Sequence, residues 1–310
     1  MSKFIVTGGA GFIGSNIVKE LVKRGETVKI IDNLSTGYQK NFTEIVDKIE
    51  FVNGDIKDLD LLQKEFAGFD YVLHHAALCS VPRSIDNPII SNESNINGTL
   101  NVLIAARDNK IKRLVYASSS SVYGEAPGEY KVETMSISPL SPYALTKYAG
   151  ERYTQLFFKL YGLETVCLRY FNVYGPNQDP DSAYSAVIPL FIKAMLKGES
   201  PVVFGDGSQA RDFTFVQNNV EANILAATST QGAGEVFNIA CGQSISLNEL
   251  VAIINKELGT NIKPVYGERR QGDIKISKAN IDKAKNILSY EPKVNFEEGL
   301  KKTIEWYKKN

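Results

Sequence analysis

Tyr143 and Lys147 are the residues of this 310-residue chain that most directly indicate catalysis. They are four apart, so on a helix they lie on one face, with the ammonium group beside the phenol. A phenol with an ordinary pKa near ~10 is a poor base at neutral pH, but a fixed cation nearby favours the phenolate. The pair therefore predicts a general base that removes a hydroxyl proton, provided that companion groups occur elsewhere in the chain.

A serine run and a glycine-rich turn are those companions. The run Ser118–Ser121 lies upstream of the pair and offers hydroxyl groups for the oxygen that loses its proton. Gly8, Gly11 and Gly14 directly follow the candidate strand 3–7 and open a helical pattern. In this context the glycines permit a tight turn, close approach of a pyrophosphate and close packing of helix on strand. Together these features predict a bound nicotinamide that takes a hydride while the base takes the proton.

Asp32 indicates which dinucleotide is bound. It ends the second candidate strand, eighteen residues past Gly14, where a carboxylate accepts hydrogen bonds from the adenosine ribose hydroxyls. A ribose 2′-phosphate at that place would meet like-charge repulsion. We therefore predict NAD rather than NADP as the cofactor.

The composition excludes several function classes. Lys and Arg number 35, as do Asp and Glu, and no basic stripe occurs, so neither nucleic acid nor a membrane surface is an expected partner. No apolar run has spanning length, and the N-terminus is unlike a signal peptide. Cys79, Cys167 and Cys241 are an odd number and predict buried free thiols in a reducing compartment. A cytoplasmic location is the expectation.

His74 and His75 are the only histidines of the chain, and they end an apolar run. With no other histidine available, a histidine-based catalytic triad or a histidine-rich metal site is nearly excluded. We expect no metal.

Short β-rich runs alternate with amphipathic helical stretches in the first part of the chain. The candidate strands are 3–7, 27–32, 49–53, 71–75, 113–118, 164–170 and 235–240. Helical patterns at 14–24 and 59–66, the latter opening after Asp58, lie between the early strands. Continuous apolar strands separated by helices predict an α/β fold with a doubly wound, Rossmann-type parallel sheet.

After Tyr170 the pattern changes. Residues 172–184 are rich in Pro, Gly, Asp and Asn; a helix at 187–197 follows, and the segment beyond Leu247 is expected to be mostly helical. We predict an NAD-binding domain formed by 1–171 plus about 213–241. A smaller mixed α/β lobe that binds substrate would then contain about 172–212 plus 242–310.

These residues resemble a family. Gly8-x-x-Gly11-x-x-Gly14, the run from Ser118 to Gly124 and Tyr143-x-x-x-Lys147 are similar to motifs of the extended short-chain dehydrogenase/reductases that act on nucleotide sugars. The resemblance runs from about residue 3 to 305 and includes the segments 75–77, 95–99, 168–175, 209–213 and 269–273. Within that group, the segment 78–84 and the pattern Asp212-Phe213-x-x-Val216 are similar to UDP-N-acetylglucosamine 4-epimerases, with UDP-glucose 4-epimerases next.

The resemblance implies a mechanism. Tyr143 would take the proton of the sugar C4 hydroxyl, and NAD would take the hydride. Lys147 would hydrogen-bond the nicotinamide ribose and lower the pKa of Tyr143. Ser119 would hydrogen-bond the C4 oxygen, with Ser120 as a neighbouring candidate. A 4-keto intermediate would turn in the site and receive the hydride on its other face, so NAD must stay bound through turnover.

The resemblance also implies the remaining cofactor contacts. Apart from the glycines, Asp32, Tyr143 and Lys147, the cofactor-binding candidates are Phe12, Ile13, Asn33, Ser35, Thr36, Gly37, Asp55, Ile56, His75, Ala76, Ala77, Asn95, Ser118 and Tyr170. Asp55 and Ile56 follow the third strand, where an adenine-edge contact is expected.

A second set of residues is expected to bind the UDP-sugar. Besides Ser119, Ser120 and Tyr143, the candidates are Ser80, Arg83, Asn172, Val187, Arg211, Arg270, Asp273 and Ser277. Arg211 and Arg270 would bind the two phosphates, because the planar guanidinium matches phosphate oxygens. Asp273 would bind the uridine ribose. In the family, the position of Ser277 is a gate on the sugar 2-substituent, and a small residue there admits an N-acetyl group.

Several alternatives remain open at this point. Dehydration is disfavoured, because Ser120 and Ser121 cannot supply the acid and base that expel a C6 hydroxyl group. A UDP-glucuronate 4-epimerase, a net NAD-dependent oxidoreductase and a catalytically silent binding protein remain as rivals. The resemblance also implies a homodimer, formed through two helices at about 93–109 and 143–161 of each subunit.

Overall fold

The computed structural model of the chain describes residues 1–126, 128, 130–179, 186–268 and 276–310. The strands are β1 Lys3–Thr7, β2 Thr27–Asp32, β3 Glu50–Asn53, β4 Tyr71–His74, β5 Arg113–Ser119, β6 Tyr130–Lys131, β7 Glu164–Tyr170, β8 Val173–Tyr174, β9 Val202–Phe204, β10 Ala210–Arg211, β11 Thr214–Phe215, β12 Val236–Ile239, β13 Ile245–Ser246, β14 Val265–Gly267 and β15 Ile276–Ala279. The helices are α1 Phe12–Lys23, α2 Leu59–Glu65, α3 Val81–Asp86, α4 Pro88–Asn92, α5 Gly98–Asp108, α6 Pro142–Tyr161, α7 Val187–Leu196, α8 Val216–Thr228, α9 Leu247–Leu258, α10 Asp282–Leu288 and α11 Phe296–Tyr307.

A seven-stranded parallel sheet organises the larger part of the molecule, in the order β12-β7-β5-β4-β1-β2-β3. This is the doubly wound arrangement predicted from the sequence, and the predicted strands match the observed ones to within one residue at either end. In such a sheet, ligands bind outside the carboxyl ends of the strands, near the point where the strand order reverses. Here that point lies between β1 and β4.

Helices cover both faces of this sheet, and alternate strand residues pack under each. On β1, Phe4 and Val6 join a buried cluster with Ile17 of α1. Ile5, between them, joins a second cluster with Leu103 of α5. Because both faces are covered, apolar residues follow one another without interruption along the strand, as the sequence pattern indicated.

The helix predictions are also close. α1 begins two residues before the predicted start at Gly14, and α2 begins directly after Asp58, whose side chain accepts a hydrogen bond from Leu61 N at 3.0 Å. This is a standard N-cap contact. Within the described residues, no helix combines the length and apolar character that crossing a membrane requires.

A second packed region follows β7. Its core is formed by α7, α9 and α11, with Phe191, Leu250 and Leu300 buried together. The parallel pairs β8–β11 and β9–β14 lie in this part of the chain. So do three strands of a small sheet of order β13-β10-β15-β6, whose fourth strand, β6, precedes β7. The expectation of a mostly helical segment beyond Leu247 holds for α9, α10 and α11 but missed β14 and β15. The proposed division into two domains stays a prediction, although β12 does return to the main sheet.

Candidate active site

Helix α6 carries Tyr143 and Lys147 on one face, as their spacing predicts. The helix begins at Pro142, and its N-cap residue Ser141 accepts a hydrogen bond from Ala144 N at 3.1 Å. Proline at the first helical position and serine at the N-cap are both favourable there. The start of α6, and so the position of Tyr143, is therefore specified locally.

Lys147 is anchored on the neighbouring strand β5. Its side chain is 3% exposed, and its ammonium group donates to Ala117 O at 2.8 Å and lies 5.1 Å from the centre of the Tyr116 ring. Burial lowers the pKa of Lys147, and the negative charge of Glu151 opposes this change. The ammonium group is thus held at the carboxyl edge of the sheet.

Glu151 lies one further turn along the same face of α6 and forms a buried ion pair. Arg169 of β7 donates to both of its oxygens, at 2.9 and 2.8 Å, and Ser118 Oγ donates to Oε1 at 2.5 Å. Ser118 and Arg169 are register partners on β5 and β7. This bidentate pair fixes α6 against the two strands and was not foreseen from the sequence.

Ser119 ends β5 and meets Tyr143. Its hydroxyl oxygen accepts hydrogen bonds from Ser121 N at 3.2 Å and Ser121 Oγ at 2.9 Å, and it lies close enough to the Tyr143 side chain to oppose the rise of its pKa. Ser120 is partly buried and starts the 3₁₀ turn Ser120–Tyr123. The structure therefore brings the predicted base and the predicted serine together.

The surroundings of Tyr143 shift its pKa. Burial raises the pKa of Tyr143 well above its ordinary value, the neighbouring Cys79 adds to the rise, and the Ser119 hydroxyl opposes it. The ammonium group of Lys147 is directed at Ala117 O. That Lys147, together with the cation of the nicotinamide ring, lowers the pKa of Tyr143 stays a prediction.

Cys79 is the site residue that the sequence interpretation missed. All three cysteines are free, as expected, and Cys167 is buried, but Cys79 is exposed and lies beside Tyr143. The prediction of buried free thiols is therefore wrong for Cys79, which lies in the loop after β4 and not in a strand. Its place in the loop after β4, next to the substrate candidate Ser80, was the signal that could have identified it.

The glycine-rich turn forms a close-fitting cradle. Gly8 has φ of +73°, and a Cβ there would lie 2.6 Å from Ala76 N of the segment after β4. A Cβ on Gly14 would collide with Gly8 O, and Gly11 N donates to Gly8 O at 3.1 Å. Phe12 and Ile13 then open α1. Because no side chain fills the space over the helix start, the cradle fits a dinucleotide pyrophosphate.

Asp32 lies beside this cradle at the end of β2. Its carboxylate is 8% exposed and accepts hydrogen bonds from Ala10 N at 3.0 Å and Leu34 N at 2.8 Å. Burial raises the pKa of Asp32, and these two amides oppose the rise. The glycine turn and the carboxylate are therefore held together by one set of contacts, which suits the predicted ribose contact.

The other cofactor candidates after β2 and β3 lie together. Asn33 donates to Asp55 Oδ2 at 3.0 Å, and Ile56 is 6% exposed. Ser35 and Thr36 are exposed and Gly37 is buried. This arrangement places the predicted adenosine-side residues at neighbouring strand ends.

Four other cofactor candidates have side chains engaged by the protein itself. His75 bonds Asn223 at 3.0 Å, and Tyr170 O–H donates to the same amide oxygen at 3.0 Å. Asn95 Oδ1 accepts from Leu78 N, and its Nδ2 donates to Leu78 O and to Thr146 Oγ1. Ser118 is bound to Glu151, as described above. Ala76 and Ala77 are partly buried beside the cradle. The cofactor roles of all these residues stay predictions.

Three substrate candidates line one cavity of about 300 Å³: Asn172, Val187 and Arg211. Phe191, Phe204 and Phe213 supply apolar walls to the same cavity. Asn172 follows β7 closely, and Tyr170 at the end of β7 pairs with Ser119. One residue of the cavity lining, Asn172, therefore lies two residues past the strand end that pairs with Ser119.

Ser277 lies beside this cavity, because it is the register partner of Arg211 on β15. Ser80 caps α3, where it accepts from Arg83 N at 3.2 Å. Helix α3 in turn contacts the start of α6, since Tyr143 N donates to Ser84 Oγ at 3.0 Å. Arg270 and Asp273 fall outside the described residues.

Comparison with known proteins identifies the family. The profile of the NAD dependent epimerase/dehydratase family matches residues 4–240. The chain belongs to this family. The resemblance to extended short-chain dehydrogenase/reductases and the choice of NAD as cofactor are thereby confirmed. The glycine cradle and Asp32 are the features of this structure that suit NAD.

Relatives cover nearly the whole chain. A UDP-glucose 4-epimerase of Mycolicibacterium smegmatis is 38% identical, over 98% of this chain and 98% of its own length. A UDP-glucuronate 4-epimerase of Thermodesulfobacterium geofontis is 37% identical, over 100% of this chain and 97% of its own length.

Two solved structures have the same fold. One is a UDP-N-acetylglucosamine 4-epimerase from Methanobrevibacter ruminantium in complex with UDP-N-acetylmuramic acid, with a TM-score of 0.95, 44% identity and coverage of 99% and 98% of the two chains. The other is a Thermus thermophilus UDP-glucose 4-epimerase in complex with NAD, with a TM-score of 0.89, 35% identity and coverage of 99% of each chain. The predicted Rossmann-type fold is confirmed.

Proposed function

We propose that this protein is an NAD-dependent 4-epimerase of UDP-sugars, and so an isomerase. Its substrates would be the pair UDP-GlcNAc and UDP-GalNAc, together with UDP-glucose and UDP-galactose. The observation that carries the proposal is the cavity lined by Asn172, Val187 and Arg211, because Asn172 lies two residues past Tyr170, the register partner of Ser119. A base, a hydroxyl partner and a cation beside an apolar pocket match what a nucleotide sugar requires.

Ser119, Tyr143 and Lys147, which we call the catalytic edge, would act on the C4 hydroxyl group. When bound, NAD supplies the hydride acceptor, and the positive charge of its oxidised ring favours the Tyr143 phenolate. Tyr143 would accept the C4 hydroxyl proton and return it after the 4-keto sugar has turned. Ser119 would hold the C4 oxygen, since its hydroxyl already reaches Tyr143. Lys147 would hold the nicotinamide ribose from the Ala117 side.

The cavity residues would bind the UDP group. Arg211 suits a diphosphate oxygen, because its guanidinium carries both charge and directed N–H donors. Phe204 and Phe213 offer apolar surface for the uracil ring. Retaining UDP while the keto sugar turns is what keeps the reaction redox-neutral, because the same hydride must return to the same molecule.

Ser277 supports acceptance of N-acetylated sugars. It pairs in register with Arg211, a residue of the cavity lining, so its small side chain would lie near the bound sugar. We expect Ser277→Tyr to lower the rate on UDP-GlcNAc at least tenfold while retaining activity on UDP-glucose. Ser277→Ala, which keeps the residue small, is the matched control and should leave both rates within about twofold. Full activity of Ser277→Tyr on UDP-GlcNAc would show that the size of residue 277 does not control access of the N-acetyl group.

A UDP-glucuronate 4-epimerase is the nearest rival activity, because a relative with that name is among the similar proteins. It would need cationic or hydroxyl contacts for the C6 carboxylate. Dehydration is disfavoured, because the residues after Ser119 are Ser120 and Ser121, and the Ser121 hydroxyl donates to Ser119. Neither serine can act as the acid that a dehydratase needs.

Proton NMR of the purified protein tests the proposal directly. UDP-GlcNAc, UDP-glucose and UDP-glucuronate are incubated separately with the protein and no added NAD. Formation of the galacto epimer from either of the first two sugars is the expected result, with no accumulation of NADH in the absorbance at 340 nm, the usual NADH band. Conversion of UDP-glucuronate alone would support the rival, and bulk NADH formation would indicate a net oxidoreductase.

We further infer a homodimer formed through α5 and α6 and a cytoplasmic location. On α6, Leu156, Leu160 and Tyr161 are 41%, 64% and 53% exposed. Apolar side chains on one helix face favour burial against a second copy. Light scattering at micromolar concentration should give the mass of two chains, and a monomer mass would contradict the dimer.

A further inference from the structure

Asp212 occupies a junction between the main sheet and the substrate cavity. It directly follows β10 and is 0% exposed. A carboxylate this deeply buried must be satisfied by hydrogen bonds or a counter-charge, because removing an unpaired charge from water is very unfavourable. The contacts that satisfy it lead to the two segments that enclose the cavity residues.

Three backbone amides bind the Asp212 carboxylate. Cys241 N donates to Oδ1 at 3.0 Å, and Gly242 N and Ala279 N donate to Oδ2 at 3.0 and 3.2 Å. Cys241 and Gly242 lie just past β12, where the chain leaves the main sheet. Ala279 ends β15. One side chain therefore joins the end of the main sheet to the strand that carries Ser277.

The backbone of Asp212 extends the same junction. Its N–H donates to Ser277 O at 2.9 Å, and its carbonyl oxygen accepts from Asn172 Nδ2 at 3.0 Å. Asn172 has φ of +36°, a conformation that a side chain normally avoids. The bond to Asp212 O holds Asn172 in that conformation at the cavity wall.

Local strand pairing alone cannot give this precision. β10 is two residues long and meets β13 and β15 through only two register pairs each. So short a pairing is a weak constraint, because few hydrogen bonds offset the entropy of ordering the chain. The carboxylate contacts of Asp212 supply the missing constraint at the point where Arg211, Ser277 and Asn172 meet.

We propose that Asp212 is a positioning residue for substrate binding, which holds Arg211, Asn172 and Ser277 in register around the UDP-sugar without touching it. The proposal rests on the proposed function of the cavity. The hydrogen bonds of Asp212 go to Asn172, Ser277 and the amides after β12 and on β15, whereas the Tyr143–Lys147–Ser119 group is fixed by β5, β7 and α6. Loss of the carboxylate should therefore act on substrate binding and leave the chemical step largely intact.

Asp212→Asn tests the proposal in the full-length protein. The amide can accept on one oxygen only and presents N–H donors to Gly242 N and Ala279 N, so at least one contact becomes repulsive. We expect KM for UDP-glucose or UDP-GlcNAc to rise at least tenfold and the Kd for UDP, measured by calorimetry, to rise equally. kcat should stay within about threefold, and the retained NAD should be unchanged.

Asp282→Asn is the matched control, because Asp282 is exposed at the start of α10 just past β15. It should leave KM and kcat unchanged. A fall in kcat of Asp212→Asn with KM and the Kd for UDP unaltered would overturn the proposal, as would unchanged constants. If wild-type protein neither binds UDP nor turns over any UDP-sugar, the proposed function fails instead, so the two failures are distinguishable.

Hydrogen exchange on the wild-type protein gives a second measurement if Asp212→Asn does not fold. Saturating UDP should slow exchange of the amides of Cys241, Gly242 and Ala279 at least fivefold, because ligand contacts made by Arg211 order the same junction. Slowing at the cavity residues with no change at these three amides would contradict the proposal.

Discussion

The catalytic edge and the substrate cavity are built in different ways. At the catalytic edge, Ser119 and Tyr170 are paired at the ends of long parallel strands, and the buried Glu151–Arg169 ion pair fixes α6 against them. Around the cavity, the strands are two to four residues long, and Asp212 joins them through backbone amides. The first region is determined by sheet register and side-chain pairing, and the second by a few local hydrogen bonds. Chemistry and substrate choice should therefore respond to different substitutions.

Tyr143→Phe should have the largest effect on the catalytic edge. Removing the phenolic oxygen removes the base, so kcat should fall by about 10³-fold, within the range for general-base catalysis. The rate is measured by NMR at saturating sugar. Tyr148→Phe, on the same helix, is the control and should retain its rate. An active Tyr143→Phe protein would remove the proposed mechanism.

Glu151→Gln tests how the catalytic helix is held. The change leaves Arg169 as a buried, uncompensated charge, so the free energy of unfolding should fall by about 3–5 kcal/mol. Urea denaturation measures the change. Glu298→Gln removes an exposed ion pair to Lys302, 48–49% exposed, and should cost less than about 1 kcal/mol. Equal losses of unfolding free energy in the two variants would show that the buried ion pair stabilises the protein no more than the exposed one.

The catalytic edge should also be the acid-sensitive region. Burial lowers the pKa of His75 to about 4, whereas the unfolded chain titrates near ~6.5. The unfolded state therefore binds more protons as the pH falls, and stability is lost below about pH 6.5. Between pH 7 and pH 5, His75 should account for about 2 kcal/mol of lost stability.

The measurement is the urea midpoint of wild-type protein and His75→Asn at the two pH values. Between pH 7 and pH 5, the free energy of unfolding should fall more in the wild-type protein than in His75→Asn, because the variant lacks the titrating group. The difference between the two proteins should therefore change with pH. A difference that stays constant with pH would indicate that His75 is not buried in its neutral form.

Cys79→Ser should have the smallest effect. Cys79 contributes to the raised pKa of Tyr143, and a serine hydroxyl is a better hydrogen-bond donor to a phenolate than a thiol is. The rising limb of the pH profile of kcat should move to lower pH by less than about 1 unit, the size of one neutral hydrogen bond. A shift to higher pH would contradict the contact.

The sequence predicted the catalytic edge better than the cavity. Continuous apolar runs ending in Thr7, Asp32 and Ser118 identify buried parallel strands, and a fixed spacing puts Tyr143 and Lys147 on one helix face. The ion pair of Glu151 with Arg169 could not be predicted, because it depends on β5 lying beside β7 in one register. The same is true of Lys147, whose partner Ala117 O is set by that packing.

The cavity was predicted only as a set of residue types. β10 and β13 are two residues long, too short to show a period in the sequence. The resemblance placed Asn172, Val187 and Arg211 in the substrate set, and the structure gathers these three on one wall. The role of Asp212 could not be predicted from the sequence. An aspartate next to an arginine is typical of a surface ion pair, whereas this carboxylate binds backbone amides of distant segments.

The strand order has a consequence for how the chain folds during synthesis. The glycine cradle needs only β1, β2 and β4, whose last residue is His74, whereas Ser119 needs β7 and the cavity junction needs Ala279. Contacts between distant segments form late, and nascent chains fold from the N-terminus. The residues predicted to bind the pyrophosphate and the adenosine ribose are therefore synthesised before those predicted to hold the nicotinamide ribose and the sugar. The complete cofactor site forms only when β5, α6 and β7 have joined the early strands.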